Sequence, residues 1–372
     1  MQIQDLKVAL VCDWLTVPAG AERVILEFHE LFPKAPIYTT LYKKERFPQF
    51  RDADVHESYL RFIPGARSAH QLFFPLMPRA FERMDFSEYD IVISSSHSAA
   101  KGIITKPGTL HISYCHSPMR YVWDQSHEYQ ERYKPFRFLK FLYQPVLHRI
   151  RMWDRLAAER VDVFIANSHF VKERIKKYYK RDSHVLWPPV DLQRFTPSSK
   201  KTENYLAVGR LTPYKRFDLV VEVANKKKLP LKIVGEGPEL AALKRKAGPT
   251  VEFLGRVSED ELPELYQKSN ALLFPQVEDF GIVPLEAMAS GTPVIAYKAG
   301  GALDTIEEGV SGLFFDDQNA DSLVAAVERF EKKKWDAEKV AKSVQIFSRA
   351  HFKTKFLHFL EKSWKEHKEM LA

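Results

Sequence analysis

Four charged residues in the second half of the chain have the types and spacing to hold a phosphorylated ligand: Arg210, Lys215, Glu278 and Glu286. The window Glu278-Asp279-Phe280-Gly281-Ile282-Val283-Pro284-Leu285-Glu286 follows the apolar run ALLFP, so Glu278 stands at the carboxyl end of a strand, where parallel α/β sheets bind their ligands. Pro284 suits the first turn of a helix, which leaves the amides at Gly281, Ile282 and Val283 facing a diphosphate at a positive helix end. Glu286, read as lying in that same turn, suits a hydroxyl pair such as a ribose diol better than a phosphate. Arg210 closes the run YLAVGR, and Lys215 opens the next helix. Taken singly, each residue has a plainer reading as a solvated surface charge. Their common position at strand ends is what makes them a site.

The elements that must position these residues follow from the hydrophobic pattern. From Tyr205 onward, YLAVGRL, LKIVG, VEFLG, ALLFP, PVIAY and GLFF alternate with helical segments, which predicts parallel βα units. Ser258 and Glu261 form a capping box ahead of a helix containing Leu262 and Leu265. The first half carries KVALVC, PIYTT, DIVISSS, LHISYC and VDVFIAN as strands, with longer aromatic and basic insertions between them. At 372 residues the chain suits two domains. These are placed at 1–195 and 203–350, with the polar stretch between Pro189 and Asn204 as linker. A final helix from about His351 carries Phe352, Phe356, Phe359, Leu360 and Trp364 on one face and is placed to pack back onto the first domain. The fold class is thus α/β, with two Rossmann-like, doubly wound domains.

Further motifs stand at the ends of the other runs. Gly209 precedes Arg210, Gly235-Glu236-Gly237-Pro238 follows LKIVG, and Arg256-Val257 follows VEFLG. In the first domain, Asp13-Trp14 and Ala19-Gly20-Ala21-Glu22 lie between a strand and a helix, and Tyr114-Cys115-His116-Ser117-Pro118 follows LHISYC. Taken together these motifs resemble glycosyltransferase family 4, retaining enzymes of the GT-B fold, and its bacterial polysaccharide mannosyltransferase branch. The resemblance covers nearly the whole chain and is strongest from Asn204 to Phe315. It implies two domains facing across a cleft, with Arg210 and Lys215 on the diphosphate and Glu278 on the sugar hydroxyls. It further implies Glu286, Gly209, Gly235, Arg256, Val257, Gly281, Ile282, Val283 and Gly20 around the nucleotide sugar, and His116 on the transferred sugar. One glycine of the family's Gly-Gly-Ala-Glu loop is replaced by Ala19. Asn167-Ser168 and Pro188-Pro189-Val190-Asp191 match the end of the family's first domain and read as structural.

The expected reaction is hexose transfer from a nucleotide diphosphate sugar, GDP-mannose in the first reading and a UDP-sugar in the alternative, to a glycan or polyprenyl-diphosphate-linked acceptor. The leaving group is already a stabilised anion, so charge placement can replace a general acid, unlike the paired carboxylates of glycosidases. No cofactor is implied, and no divalent metal is expected. Asp52-Ala53-Asp54 imitates an Asp-x-Asp metal motif, but it sits in a polar segment and reads as a solvated turn. The two cysteines, Cys12 and Cys115, form neither a zinc pattern nor a disulfide framework, which suits a cytoplasmic protein.

No run of residues approaches the length of a membrane-spanning helix, so contact with the inner face of the cell membrane would be peripheral. The net charge of +8 favours an anionic partner. Residues 131–155 interleave Arg132, Lys134, Arg137, Lys140, Arg149, Arg151 and Arg155 with aromatics. That pattern fits an anionic membrane surface and equally an ordinary helix with a solvated basic face. The segment SYLRFIPGARSAHQLFFPLMPRAF is either an apolar acceptor rim or core. A basic nucleic-acid- or lipid-binding protein without catalysis is the alternative of another class, although no nucleic-acid-binding motif is present.

Overall fold

The computed structural model describes residues 5–18, 20–124, 126 and 140–372, with the backbone alone at 140–143. Two compact units result: Met1–Pro189 with Phe352–Ala372, and Val190–His351.

The first unit is built on a seven-stranded parallel sheet: β1 Val8–Cys12, β2 Ile37–Thr39, β3 Val55–Glu57, β4 Ile91–Ser96, β5 Leu110–Cys115, β6 Val163–Ala166 and β7 His184–Val185. Their order is β3-β2-β1-β4-β5-β6-β7. The chain winds outward from β1 to β3, then restarts on the other side of β1 with β4, so the winding reverses between β1 and β4. Side chains of β1 alternate between two cores, as a strand covered on both faces requires. Val8, Leu10 and Cys12 pack with Phe28 of the helix Gly20–Leu31, and Ala9 and Val11 pack with Leu60, Met77 and Phe81 on the other face.

The final helix, Arg349–Leu371, contributes Phe352, Phe356, Leu360 and Trp364 to the first of those cores. Phe356 lies 4.6 Å from Phe28 between ring centres, and Lys353 Nζ lies 3.3 Å from Glu27. The segment 58–81 is divided: Leu60, Met77 and Phe81 are core, whereas Phe62 and Leu72 are 73% and 69% exposed.

The second unit has six parallel strands: β8 Tyr205–Val208, β9 Leu231–Val234, β10 Val251–Gly255, β11 Ala271–Phe274, β12 Val294–Tyr297 and β13 Gly312–Phe315. Their order is β10-β9-β8-β11-β12-β13, so the winding reverses between β8 and β11. Ser258 and Glu261 make the reciprocal capping box, with backbone-to-side-chain hydrogen bonds of 2.8 and 3.2 Å, just before the helix Leu262–Lys268.

Three features differ from the sequence reading. β3 and β7 are additional strands; each is short, lies at a sheet edge and lacks an apolar run, so the pattern signal is weak there. The stretch read as a linker is docked onto the second unit. The Val190 N–H donates to Phe347 O at 2.9 Å, and Lys201 Nζ donates to Thr292 Oγ1 at 2.6 Å and to Gln267 O at 3.0 Å. Finally, the helix Ile282–Ala289 begins at Ile282, which puts Glu286 in its second turn rather than its first.

Candidate functional site

In a doubly wound sheet the ligand crevice lies beyond the carboxyl ends of the strands where the winding reverses. In the second unit that place is between β8 and β11, and both chain segments leaving it carry site residues. Gly209, Arg210 and Lys215 follow β8; Glu278 and Gly281 follow β11. Lys215 Nζ and Glu278 Oε1 form an ion pair across the reversal, with side chains 13% and 19% exposed. Arg210 is exposed, and among the described residues its guanidinium has no hydrogen-bond or ionic partner. One cation is thus held in place and the other faces solvent at the same strand end.

The backbone around these charges is tightly interlocked. The Gly209 N–H donates to Val234 O at 3.0 Å, Gly235 N–H to Gly255 O at 2.7 Å, and Leu211 N–H to Glu236 O at 2.9 Å. A Cβ on Gly235 would come within 1.9 Å of Gly209 O, so only glycine allows β8 and β9 to end this close together. Gly281, at φ 90°, turns the chain into the helix Ile282–Ala289, where Pro284 occupies the first turn. Ile282 and Val283 lie beside it in that turn.

Glu286 is 7% exposed, and its Oε2 accepts a hydrogen bond from the Tyr266 hydroxyl at 3.2 Å. Arg256 and Val257 leave β10, two strands from β8, with Arg256 exposed. The structure therefore brings Lys215 and Glu278 into contact, gathers Gly209, Gly235 and Gly281 around them, and leaves Arg256 at the sheet edge.

Some participants escaped the sequence reading. Gly300 and Gly301, after β12, clasp the Glu278 loop: Gly301 N–H donates to Glu278 O at 2.9 Å, and a Cβ on Gly301 would lie 2.3 Å from Phe280. Arg216 Nη1 donates to Gln318 Oε1 at 2.9 Å, and Gln318 Nε2 donates to Pro275 O at 2.7 Å, tying the Lys215 turn to the end of β11. A Gly-Gly pair two residues beyond an apolar run was the available signal for the first; the second is a contact between distant segments that no local pattern encodes.

In the first unit the reversal lies between β1 and β4, and Asp13, His97 and His116 stand at the ends of β1, β4 and β5. His116 Nε2 lies 2.8 Å from Ser95 Oγ, and burial, with the nearby His97, lowers its pKa to about 3. It is a neutral imidazole at physiological pH, suited to hydroxyl contact rather than to charge. Gly20 begins the helix Gly20–Leu31; Ala19, the family departure, lies outside the described residues.

Ser168 caps the helix His169–Tyr179, accepting from Val171 N–H at 3.0 Å, a structural role. Asp52 and Asp54 are exposed in the turn before β3, with Asp54 Oδ2 3.0 Å from His56 Nε2. Among the described residues no group of three or more His, Cys, Asp or Glu side chains converges as a metal site. Residues 131–139 of the basic-aromatic segment lie outside the described residues. Of the rest, Arg151 Nε donates to Val122 O at 2.7 Å, Arg155 pairs with Glu159 at 2.8 Å, and Arg149 is exposed.

Comparison with known proteins bears directly on these two units. The profile of "Glycosyltransferase Family 4" matches residues 18–194, and that of "Glycosyl transferases group 1" matches residues 191–346. The chain belongs to glycosyltransferase family 4. A GDP-mannose-dependent alpha-(1-6)-phosphatidylinositol monomannoside mannosyltransferase of Mycolicibacterium smegmatis is 31% identical over 198 residues, 45% of this chain and 52% of that protein. The O-antigen chain mannosyltransferase RfbU of Salmonella typhimurium is 31% identical over 183 residues, 45% of this chain and 50% of that protein. The chain thus spans about half the length of these curated relatives. Among solved structures, Anabaena HepE in complex with UDP superposes with a TM-score of 0.70 at 18% identity, over 96% of this chain and 100% of that one. That likeness establishes the GT-B fold for this family 4 chain.

Proposed function

We propose that the protein is a retaining glycosyltransferase that moves mannose from GDP-mannose onto a glycan or lipid-linked oligosaccharide during surface polysaccharide synthesis. The observation that carries the reading is the Lys215–Glu278 pair across the β8/β11 reversal, beside the exposed Arg210. Arg210 and Lys215 bind the diphosphate and stabilise the charge it gains as the glycosidic bond lengthens. Glu278 holds Lys215 in place and reaches the hydroxyls of the sugar, and Glu286, braced by Tyr266, accepts from the ribose diol. The amides of Gly281, Ile282 and Val283 face the phosphates, while Gly209 and Gly235 let the nucleotide approach the backbone and Arg256-Val257 lie toward the base. His116 and Gly20 serve the sugar and acceptor side.

The acceptor attacks on the face from which the nucleotide departs, and a donor phosphate oxygen takes its proton. With two cations on the diphosphate, the reaction proceeds without a divalent metal or a cofactor. The mannose assignment is supported by the two mannosyltransferase relatives; the rival donor is a UDP-sugar, since HepE was crystallised with UDP. Phe62, exposed with the Arg61 guanidinium over its ring, and the exposed Leu72 suit peripheral contact with an anionic membrane from the cytoplasmic side. Among the described residues no helix is long and apolar enough to cross a membrane.

The test is acceptor-free donor hydrolysis in EDTA, with GDP-mannose, other GDP-sugars, UDP-sugars and ADP-glucose, followed by NMR of the freshly released sugar. Preferential hydrolysis of GDP-mannose to α-mannose supports the reading. Preference for a UDP-sugar moves the donor, β-anomer release removes retention, and strict dependence on added metal removes the metal-free mechanism.

A further inference from the structure

The second unit holds a pocket of about 390 Å³ that none of the site residues above lines, within the size range of small-molecule sites, roughly 300–1,000 Å³. Leu192, Phe195 and Pro197 line it from the docked segment. Ala289, the last residue of the helix Ile282–Ala289, and Ala341, on the helix Ala337–Ser343, line it from two helices, and their short side chains leave the space. A Cβ on Gly291 would lie 2.8 Å from Ala337 Cβ and 3.2 Å from Pro197 Cβ. The docked segment, the turn after Ala289 and the helix Ala337–Ser343 therefore meet there, and the pocket is bounded by packed elements.

Its charges are mostly cationic. Lys339 and Lys342, both exposed and one turn apart, line it together with Glu338. Lys339 has Asp336 at 3.8 Å, whereas the Lys342 ammonium has no ionic or hydrogen-bond partner among the described residues. A third ammonium stands close by. Lys201 Nζ, half-buried, donates to Ser290 O at 3.4 Å as well as to Thr292 Oγ1 and Gln267 O, and Ser290 directly follows Ala289. Ser290 O also accepts from Ser198 N–H at 3.3 Å, next to Pro197. All of these partners are neutral oxygens, and burial alone lowers the Lys201 pKa to about 8. A cation held away from water without a counter-ion is costly, and an anion nearby offsets that cost.

We propose that this pocket binds a small amphipathic organic anion, with an aliphatic or aromatic body against Leu192, Phe195 and the two alanines and a single acidic group toward Lys342 and Lys339. Glu338 disfavours a second negative charge in the ligand. The bound molecule bridges the segment with which the chain enters the second unit and the helix Ala337–Ser343 that precedes its exit, so binding fastens the docked segment. The site is independent of the transferase reading.

The probe is anilinonaphthalene sulfonate, set against phenylnaphthylamine, the same skeleton without the sulfonate. Fluorescence titration of the full chain is expected to favour the sulfonate by about threefold or more, and Lys339→Gln/Lys342→Gln to remove about three- to tenfold in affinity, the worth of two exposed ion pairs. Ala341→Leu fills the pocket and is expected to abolish binding. Hydrogen exchange with the probe bound is expected to slow within 190–204 and 337–347.

No binding, equal affinity for the two probes, unchanged affinity in Lys339→Gln/Lys342→Gln, or slowed exchange only outside those segments would each overturn the proposal. Should Ala341→Leu fail to fold, the lysine variant, altered only at exposed positions, and the exchange map decide it.

Discussion

At the residue scale, function rests on a few side chains whose environments limit what they can do. Glu286 is buried, and its Oε2 accepts a hydrogen bond from the Tyr266 hydroxyl, which fixes the carboxylate proposed to meet the ribose diol. Tyr266→Phe removes that brace, and sugar-nucleotide affinity is expected to fall by about three- to tenfold in a titration, the worth of one hydrogen bond. Gly235 has no room for a methyl group against Gly209 O, so Gly235→Ala must part the ends of β8 and β9. The expectation is loss of nucleotide binding together with a lowered melting temperature, read by calorimetry.

His111 is fully buried on β5, with Nε2 2.9 Å from Ser94 Oγ, and burial lowers its pKa to about 3. Between about pH 6.5 and 3 the unfolded chain therefore binds a proton there that the fold excludes. Stability is fully present above the unfolded value and falls as pH drops below it, by about 2 kcal/mol at pH 5. Urea midpoints at pH 7 and pH 5 check this, with His111→Asn expected to shrink the difference.

At the element scale, the helix Lys140–Ala157 and the turn after β4 are joined by a buried pair, Lys101 with Asp154, to which Trp123 Nε1 also donates at 2.7 Å. Asp154→Ala leaves an ammonium buried among Trp153 and Tyr179 and is expected to cost about 3–5 kcal/mol in chemical denaturation. Replacing both partners with apolar residues of similar size should cost much less. Phe356→Ala opens the core where the final helix meets Phe28, with an expected loss of about 3–5 kcal/mol.

The strands that carry the site were legible in the sequence because both faces are covered, so YLAV, ALLF and VIAY read as unbroken apolar runs and LKIV is interrupted only at Lys232. β3 and β7 were not, because two or three residues at an edge need neither an apolar run nor a turn signal. The start of the helix after Glu278 was misplaced by a turn for Glu286, since Pro284 marks a first turn without fixing which of its residues comes first.

At the scale of the whole molecule, the apolar runs were enough to place Arg210, Lys215, Glu278 and His116 in the segments that leave strand ends, although Lys215 closes the turn Pro213–Lys215 instead of opening the helix that starts at Phe217. They did not reveal that Lys215 and Glu278 are partners, nor that Asp13 orients His97. Those pairings depend on strand order, and the reversals at β1/β4 and β8/β11 are tertiary facts that bring together residues 63 and 84 positions apart.

In the proposed function, the β8/β11 reversal binds a sugar nucleotide through its diphosphate. The most direct measurement is calorimetric titration of GDP-mannose and UDP-sugars, in EDTA, into the wild type and Arg210→Ala. One donor is expected to bind the wild type and to lose about 10- to 100-fold in affinity in the variant, the worth of a charged hydrogen bond to phosphate. Equal affinity in the two proteins, or no binding to either, would contradict it.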